Sequence, residues 1–125
     1  MPDDRKYCSL NNGPMNWIEL TKESQLTDIK EQSRNKPQLI FKHSTRCAVS
    51  GVARNRLERS AAPENVDFYF LDLIRNREIS NKIAEEFSVF HESPQVLLIK
   101  NGECVYDESH SGISMNEIED QVTAL

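Results

Sequence analysis

The apolar run Leu39-Ile40-Phe41 leads through the polar segment Lys42-His43-Ser44-Thr45-Arg46 into a helical pattern that opens at Cys47. This strand, turn and helix constrain the chain more than any other segment. The helical pattern ends before Pro63, and a second buried strand, Val66 to Ile74 with Phe68, Phe70 and Leu71, follows it. Two strands separated by a whole helix run parallel. The chain is therefore expected to be an α/β protein with helices packed on its sheet.

The same segment carries the chemistry. A cysteine at a helix start lies against unpaired backbone N–H groups and the positive end of the helix dipole, an environment that favours thiolate. Arg46 adds a positive charge beside it. Position 50 is serine, so the pattern is Cys47-x-x-Ser50, with one sulfur where a dithiol site has two. Such a site attacks a disulfide but has no near neighbour to complete the exchange. Ser50 stands one helical turn after Cys47 and is expected to bring its hydroxyl toward the sulfur. Free cysteine is often simply buried, but the polar neighbours Thr45, Arg46 and Ser50 argue for a reactive role.

The remaining pattern places these residues in a frame. Trp17-Ile18-Glu19-Leu20 reads as a short first strand, and a helix is expected from about Ser24 to Arg34, with Leu26, Ile29 and Ser33 on one face. The helix after Cys47 is expected to turn Val49, Val52, Ala53 and Leu57 inward and Arg54, Arg56 and Arg59 outward. Ile79, Ile83, Ala84 and Phe87 recur at helical spacing. Ser93-Pro94 then precedes Gln95-Val96-Leu97-Leu98-Ile99-Lys100, and X-Pro is where a cis peptide costs least. Asn101-Gly102 joins that strand to residues 103–109 as a hairpin. Ser114 followed by Glu117 predicts a capped last helix presenting Ile118, Val122 and Leu125. Residues 1–15 read as a polar arm ahead of a single domain over 16–125.

This order of elements resembles the thioredoxin-like fold, a central mixed five-stranded sheet with helices on both faces. Lys42-His43-Ser44-Thr45-Arg46-Cys47 with Ser50, and His91-Glu92-Ser93-Pro94-Gln95 with Leu98-Ile99-Lys100, resemble the two signatures of the monothiol bacilliredoxin family. The residue after the cysteine, commonly proline there, is Ala48 here. The resemblance implies a monothiol thiol-disulfide oxidoreductase that removes bacillithiol, or a similar small thiol, from mixed disulfides on proteins. Cys47 would be the nucleophile, with Ser50 and Arg46 beside it. Ser93 and Pro94 would face it and pair with the substrate, and Thr45, Lys42 and His43 complete the substrate-binding set. Lys42, His43, Arg46 and Arg54 are cationic candidates for the carboxylates of bacillithiol. The small thiol is a co-substrate, with no tightly bound cofactor.

Composition narrows the alternatives. A chain of 125 residues has room for one core without metals or disulfides. A net charge of −5 offers no general footprint for nucleic acid. No apolar stretch reaches membrane-spanning length, and the first residues lack the apolar centre of a signal peptide, so the cytoplasm is expected and no membrane partner. Three scattered cysteines, Cys8, Cys47 and Cys104, form no disulfide framework. Together with His43, His91 and His110 they lack structural zinc spacing. The rival reading is a binding module or an iron-sulfur carrier of the monothiol glutaredoxin kind, with Cys47 as ligand. Those carriers use Cys-Gly-Phe-Ser, and Ala48-Val49 supplies neither the glycine nor the aromatic residue.

Overall fold

The structure, a computed structural model, describes residues 15–125. The expected polar arm lies outside the described residues up to position 14, as does Cys8, while Met15 is already buried in the core. In chain order the elements are β1 (Ile18–Glu19), α1 (Ser24–Gln32), β2 (Gln38–His43), α2 (Ala48–Glu58), β3 (Asp67–Asp72) and α3 (Arg77–Phe87). They are followed by β4 (Gln95–Lys100), β5 (Glu103–Ser109), a short 3₁₀ turn (His110–Gly112) and α4 (Met115–Thr123).

The five strands form one mixed sheet in the order β1-β3-β2-β4-β5. β3 is parallel to both β1 and β2, whereas β4 is antiparallel to β2 and β5. The crossover through α2 enforces the parallel pair, and the Asn101-Gly102 turn the antiparallel one. Asn101 has φ 54° and Gly102 φ 80°. Both are left-handed positions of the kind a tight two-residue hairpin turn requires.

All six residues of β2 are buried, because helices cover the sheet on both sides. Leu39 and Phe41 point into a cluster with Ala53 and Leu57 of α2 and Ile118 and Val122 of α4. Ile40 points the other way, to Leu26 and Ile29 of α1 and Ile79, Ile83 and Phe87 of α3. Each such side chain contributes about 1.5–3 kcal/mol by leaving water. Strand alternation therefore assigns each residue of β2 to one layer or the other.

Two helix faces differ from expectation. On α2 the inward residues are Ser50, Ala53 and Leu57, while Val49 and Val52 are 48% and 55% exposed. Arg54 and Arg56 are half-buried rather than outward: Arg54 lies over the Phe70 ring at 4.6 Å, and Arg56 donates to the Ile113 carbonyl at 2.7 Å. Leu125 falls beyond the end of α4 and is exposed. The start of α4 is capped, with Ser114 Oγ accepting the Glu117 N–H at 3.2 Å. Replacing Ser114 by alanine should cost about 1 kcal/mol of stability, measurable by urea unfolding.

Candidate functional site

At the end of β2 the backbone passes Ser44, which is buried, then Thr45 and Arg46, which are exposed, and reaches Cys47, the N-cap of α2. The turn is held by backbone bonds: Cys47 N–H donates to the Ser44 carbonyl at 3.2 Å, and Gly51 N–H to the Cys47 carbonyl at 3.2 Å. Ser44 Oγ accepts the Arg46 N–H at 3.3 Å. Cys47 is partly exposed. Among the described residues the Arg46 guanidinium has no ion-pair or hydrogen-bond partner within the protein.

Ser50 does not use its hydroxyl as expected. It is fully buried, accepts the Ser44 N–H at 3.0 Å and lies 2.7 Å from His43 Nδ1. The Ser50 oxygen, with two lone pairs, takes the Ser44 N–H on one, and the contact with His43 Nδ1 uses either its proton or its second lone pair according to the ring tautomer. No hydrogen bond joins Ser50 to Cys47 among the described residues, and both partners of the hydroxyl lie at the end of β2. Ser50 instead ties the first turn of α2 back to the end of β2, on either side of the cysteine turn.

Two of the expected surface cations are interior. His43 is 5% exposed and packs between Phe41 and Phe70, with ring centroids at 5.8 and 5.3 Å. Burial, then the Arg54 charge, hold it below the ordinary histidine value, against the opposing pull of Asp72, Ser50 and Glu58. It is neutral at pH 7 and offers no charge to a carboxylate. Arg54 is also committed, through its Nε bond of 3.0 Å to Glu58, which in turn accepts the Trp17 indole N–H at 2.7 Å.

Lys42 is 0% exposed. It follows Ile40 in the strand alternation and enters the layer of α3, opposite the layer of α2, so it is not a surface anion ligand. Its Nζ lies 3.2 Å from His91 Nδ1 and 3.5 Å from the Ser80 carbonyl. Burial lowers its pKa to about 8.

The Ser93–Pro94 peptide bond is cis. β2 and β4 pair Lys42 with Gln95, so one step further along the register Pro94 lies opposite His43, at the end of the sheet from which the Cys47 turn departs. Pro94 is buried, its carbonyl accepts the His110 N–H at 3.1 Å, and the Ser93 hydroxyl oxygen is buried without a partner. His91, in the loop before them, is a residue the sequence reading left without a role. Its signal there was its place at the head of the signature His91-Glu92-Ser93-Pro94-Gln95.

Cys104 pairs with Ile99 near the far end of the hairpin, and its Sγ donates to the Tyr106 carbonyl at 3.3 Å. Burial pushes its thiol up to about 11. In the folded protein at pH 7.5, iodoacetamide should label Cys47 readily and Cys104 at least about a hundredfold more slowly than a small free thiol. Peptide mass spectrometry after timed quenching reads both rates. Labelling of Cys104 at the rate of a free thiol would contradict its packing.

The sheet order, the half-exposed cysteine capping α2 and the cis proline at the same end of the sheet define a thiol oxidoreductase of thioredoxin fold. The chain belongs to the family described as monothiol bacilliredoxin BrxC, which matches residues 18–118. Among solved structures it is similar to one described as a candidate oxidoreductase with a thioredoxin fold. The two share 29% identity over 82% of this chain and 90% of that one, with a TM-score of 0.69. Schistosoma mansoni thioredoxin is 23% identical over 87% of this chain and 94% of its own, with a TM-score of 0.68. Malassezia sympodialis thioredoxin, at 16% identity, covers 89% and 92% of the two chains with a TM-score of 0.67. The last two establish the fold alone. No helix among the described residues is long and apolar enough to cross a membrane.

Proposed function

We propose that this protein removes bacillithiol, or a similar small thiol, from mixed disulfides on cytoplasmic proteins. The observation that carries the reading is a single half-exposed sulfur at a helix start, with serine in place of the second cysteine and that serine's hydroxyl committed elsewhere.

Cys47 thiolate attacks the bacillithiol sulfur of the mixed disulfide. The S–S bond breaks, the electron pair leaves with the target protein's sulfur as thiolate, and Cys47 becomes disulfide-bonded to bacillithiol. A second bacillithiol thiolate attacks the bacillithiol sulfur of that adduct. This releases Cys47 thiolate and forms the small-thiol disulfide, so one sulfur suffices for the cycle. Thr45 and Arg46, both exposed beside the sulfur, are the groups left to meet the small thiol, with Arg46 suited to its carboxylates. Ser93 and Pro94 present backbone to the extended segment of the protein half. Val49 and Val52, exposed on the first turns of the helix that Cys47 caps, suit an apolar patch on a protein rather than a small thiol alone.

The test incubates a protein capped by bacillithiol with catalytic amounts of the chain and excess free bacillithiol, following the cap by intact mass. Cap removal with many turnovers, and a transient adduct of one bacillithiol on Cys47, are the expected results. Turnover without that adduct, or no acceleration over bacillithiol alone, would overturn the reading.

A further inference from the structure

The loop between α3 and β4 carries Ser93 and Pro94 and is held from beneath by buried polar side chains of two adjacent strands. Lys42 of β2 and Gln95 of β4 are cross-strand partners, 0% and 1% exposed. Gln95 Nε2 donates to the Phe90 carbonyl at 2.9 Å. Lys42 Nζ donates to His91 Nδ1 at 3.2 Å, and the Ser80 hydroxyl of α3 reaches the same nitrogen at 3.2 Å. An ammonium and a hydroxyl thus converge on one ring lone pair. A lysine buried between a sheet and a helix costs desolvation that an aliphatic residue would avoid, and this one spends its donors on the loop and on Ser80.

We propose that Lys42 and His91 are positioning residues, a buried donor reaching out to an acceptor on an exposed ring, which holds residues 88–93 and so sets where Ser93 and Pro94 stand for the protein half of a mixed disulfide. The inference rests on the function proposed above for its catalytic consequence, but the clamp itself can be read without any turnover.

The pair works only while His91 Nδ1 has a free lone pair. Protonation turns the acceptor into a second cation facing Lys42. The groups around His91 are Lys42 from β2, Ser80 and Arg77 from α3, and Glu92 from its own loop. Burial, then Lys42 and Arg77, lower its pKa below 6.5, with Glu92 opposing. The clamp is therefore intact at neutral pH and lost as pH falls through that lowered value.

Three variants separate positioning from mere packing. His91→Leu removes the acceptor, Lys42→Met removes the donor at nearly constant length, and His91→Asn keeps at the place of Nδ1 an acceptor oxygen that does not titrate. By hydrogen exchange, the amides of 89–93 should exchange about tenfold faster in His91→Leu and Lys42→Met than in wild type, and at the wild-type rate in His91→Asn. In cap removal, kcat/KM should fall about tenfold in the first two. The Lys42→Met/His91→Leu double variant should lose no more than either single one.

The ratio of His91→Asn to wild-type kcat/KM, in which the pH dependence common to both cancels, should be near one at pH 7.5 and rise below pH 6.5. Unchanged exchange in His91→Leu and Lys42→Met overturns the clamp whether or not the wild type turns over. Faster exchange with wild-type kcat/KM, or a flat ratio, overturns its catalytic role. A wild type that fails to remove the cap while the exchange pattern holds overturns the proposed function and leaves the clamp standing.

Discussion

Replacing Cys47 by serine is expected to reduce removal of a bacillithiol cap to the background given by free bacillithiol, a loss of about a thousandfold or more. Serine keeps the helix cap position and nearly the side-chain volume, so the fold should persist and the loss should reflect the missing nucleophile. Cys104→Ser should keep full activity. Its sulfur points to the Tyr106 carbonyl near the hairpin turn, and the length of β4, about 3.3 Å per residue over six residues, separates it from the Pro94 end by roughly 20 Å. A disulfide needs Cα atoms within about 7 Å. Cys8→Ser should also keep activity if the enzyme is a true monothiol. Loss of activity in Cys8→Ser would mean that the N-terminal cysteine resolves the adduct, and activity surviving in Cys47→Ser would sink the mechanism.

Much of this architecture was legible because several local signals agreed. The hairpin turn was readable, since Asn101 and Gly102 are the residue types that accept two successive positive φ angles and thereby set the pairs Lys100 with Glu103 and Ile99 with Cys104, whereas the shift of register between Ile99 and Leu98 carried no sequence signal. The parallel pairing of β2 and β3 followed from the length of the connection. The cap on the last helix followed from one hydroxyl at the right spacing. Even Cys47 at the N-cap needed only the strand, the polar turn and the start of a helical pattern.

What was not legible is where polar residues go when their partners are remote in sequence. Val49 and Val52 looked like the inward stripe of α2 because they are apolar, and Ser50 was expected to turn its hydroxyl to the Cys47 sulfur. The order is reversed because Ser50 finds an N–H from Ser44 and a ring nitrogen from His43, so its burial leaves no polar atom unpaired. Lys42 and His43 were read as a cationic rim for the same reason: their charge was visible and their partners were not. Period-two alternation did contain a correction. Leu39, Phe41 and His43 share one face and Ile40 and Lys42 the other, so a strand covered on both sides has no exposed place for either residue. His91 could not have been found that way, since its role comes from a contact between positions far apart in the chain.

Lys42→Met is expected to make the protein more stable at neutral pH while slowing it as an enzyme. Burial lowers the pKa of Lys42 from 10.5 to about 8, so below pH 8 the folded chain holds a charge that the unfolded chain would keep in water more cheaply. Methionine fills the same space without that charge. Its gain should be about 1–3 kcal/mol at pH 7, the upper figure being the whole shift converted and the lower allowing for the lost bonds to His91 and Ser80. The sign with pH follows from proton counting. Between pH 8 and 10.5 the unfolded wild type binds the proton that the folded wild type has shed, so wild-type stability rises toward that of the variant. Urea unfolding of both proteins should therefore show a gap that is constant below about pH 7.5 and roughly halved near pH 9.5. A variant less stable than wild type at pH 7 would mean that the bonds from Lys42 outweigh its desolvation, and that the lysine serves the fold rather than the loop. A stability gain with slower cap removal would instead show a buried charge retained at the expense of the fold for what it does to the substrate loop.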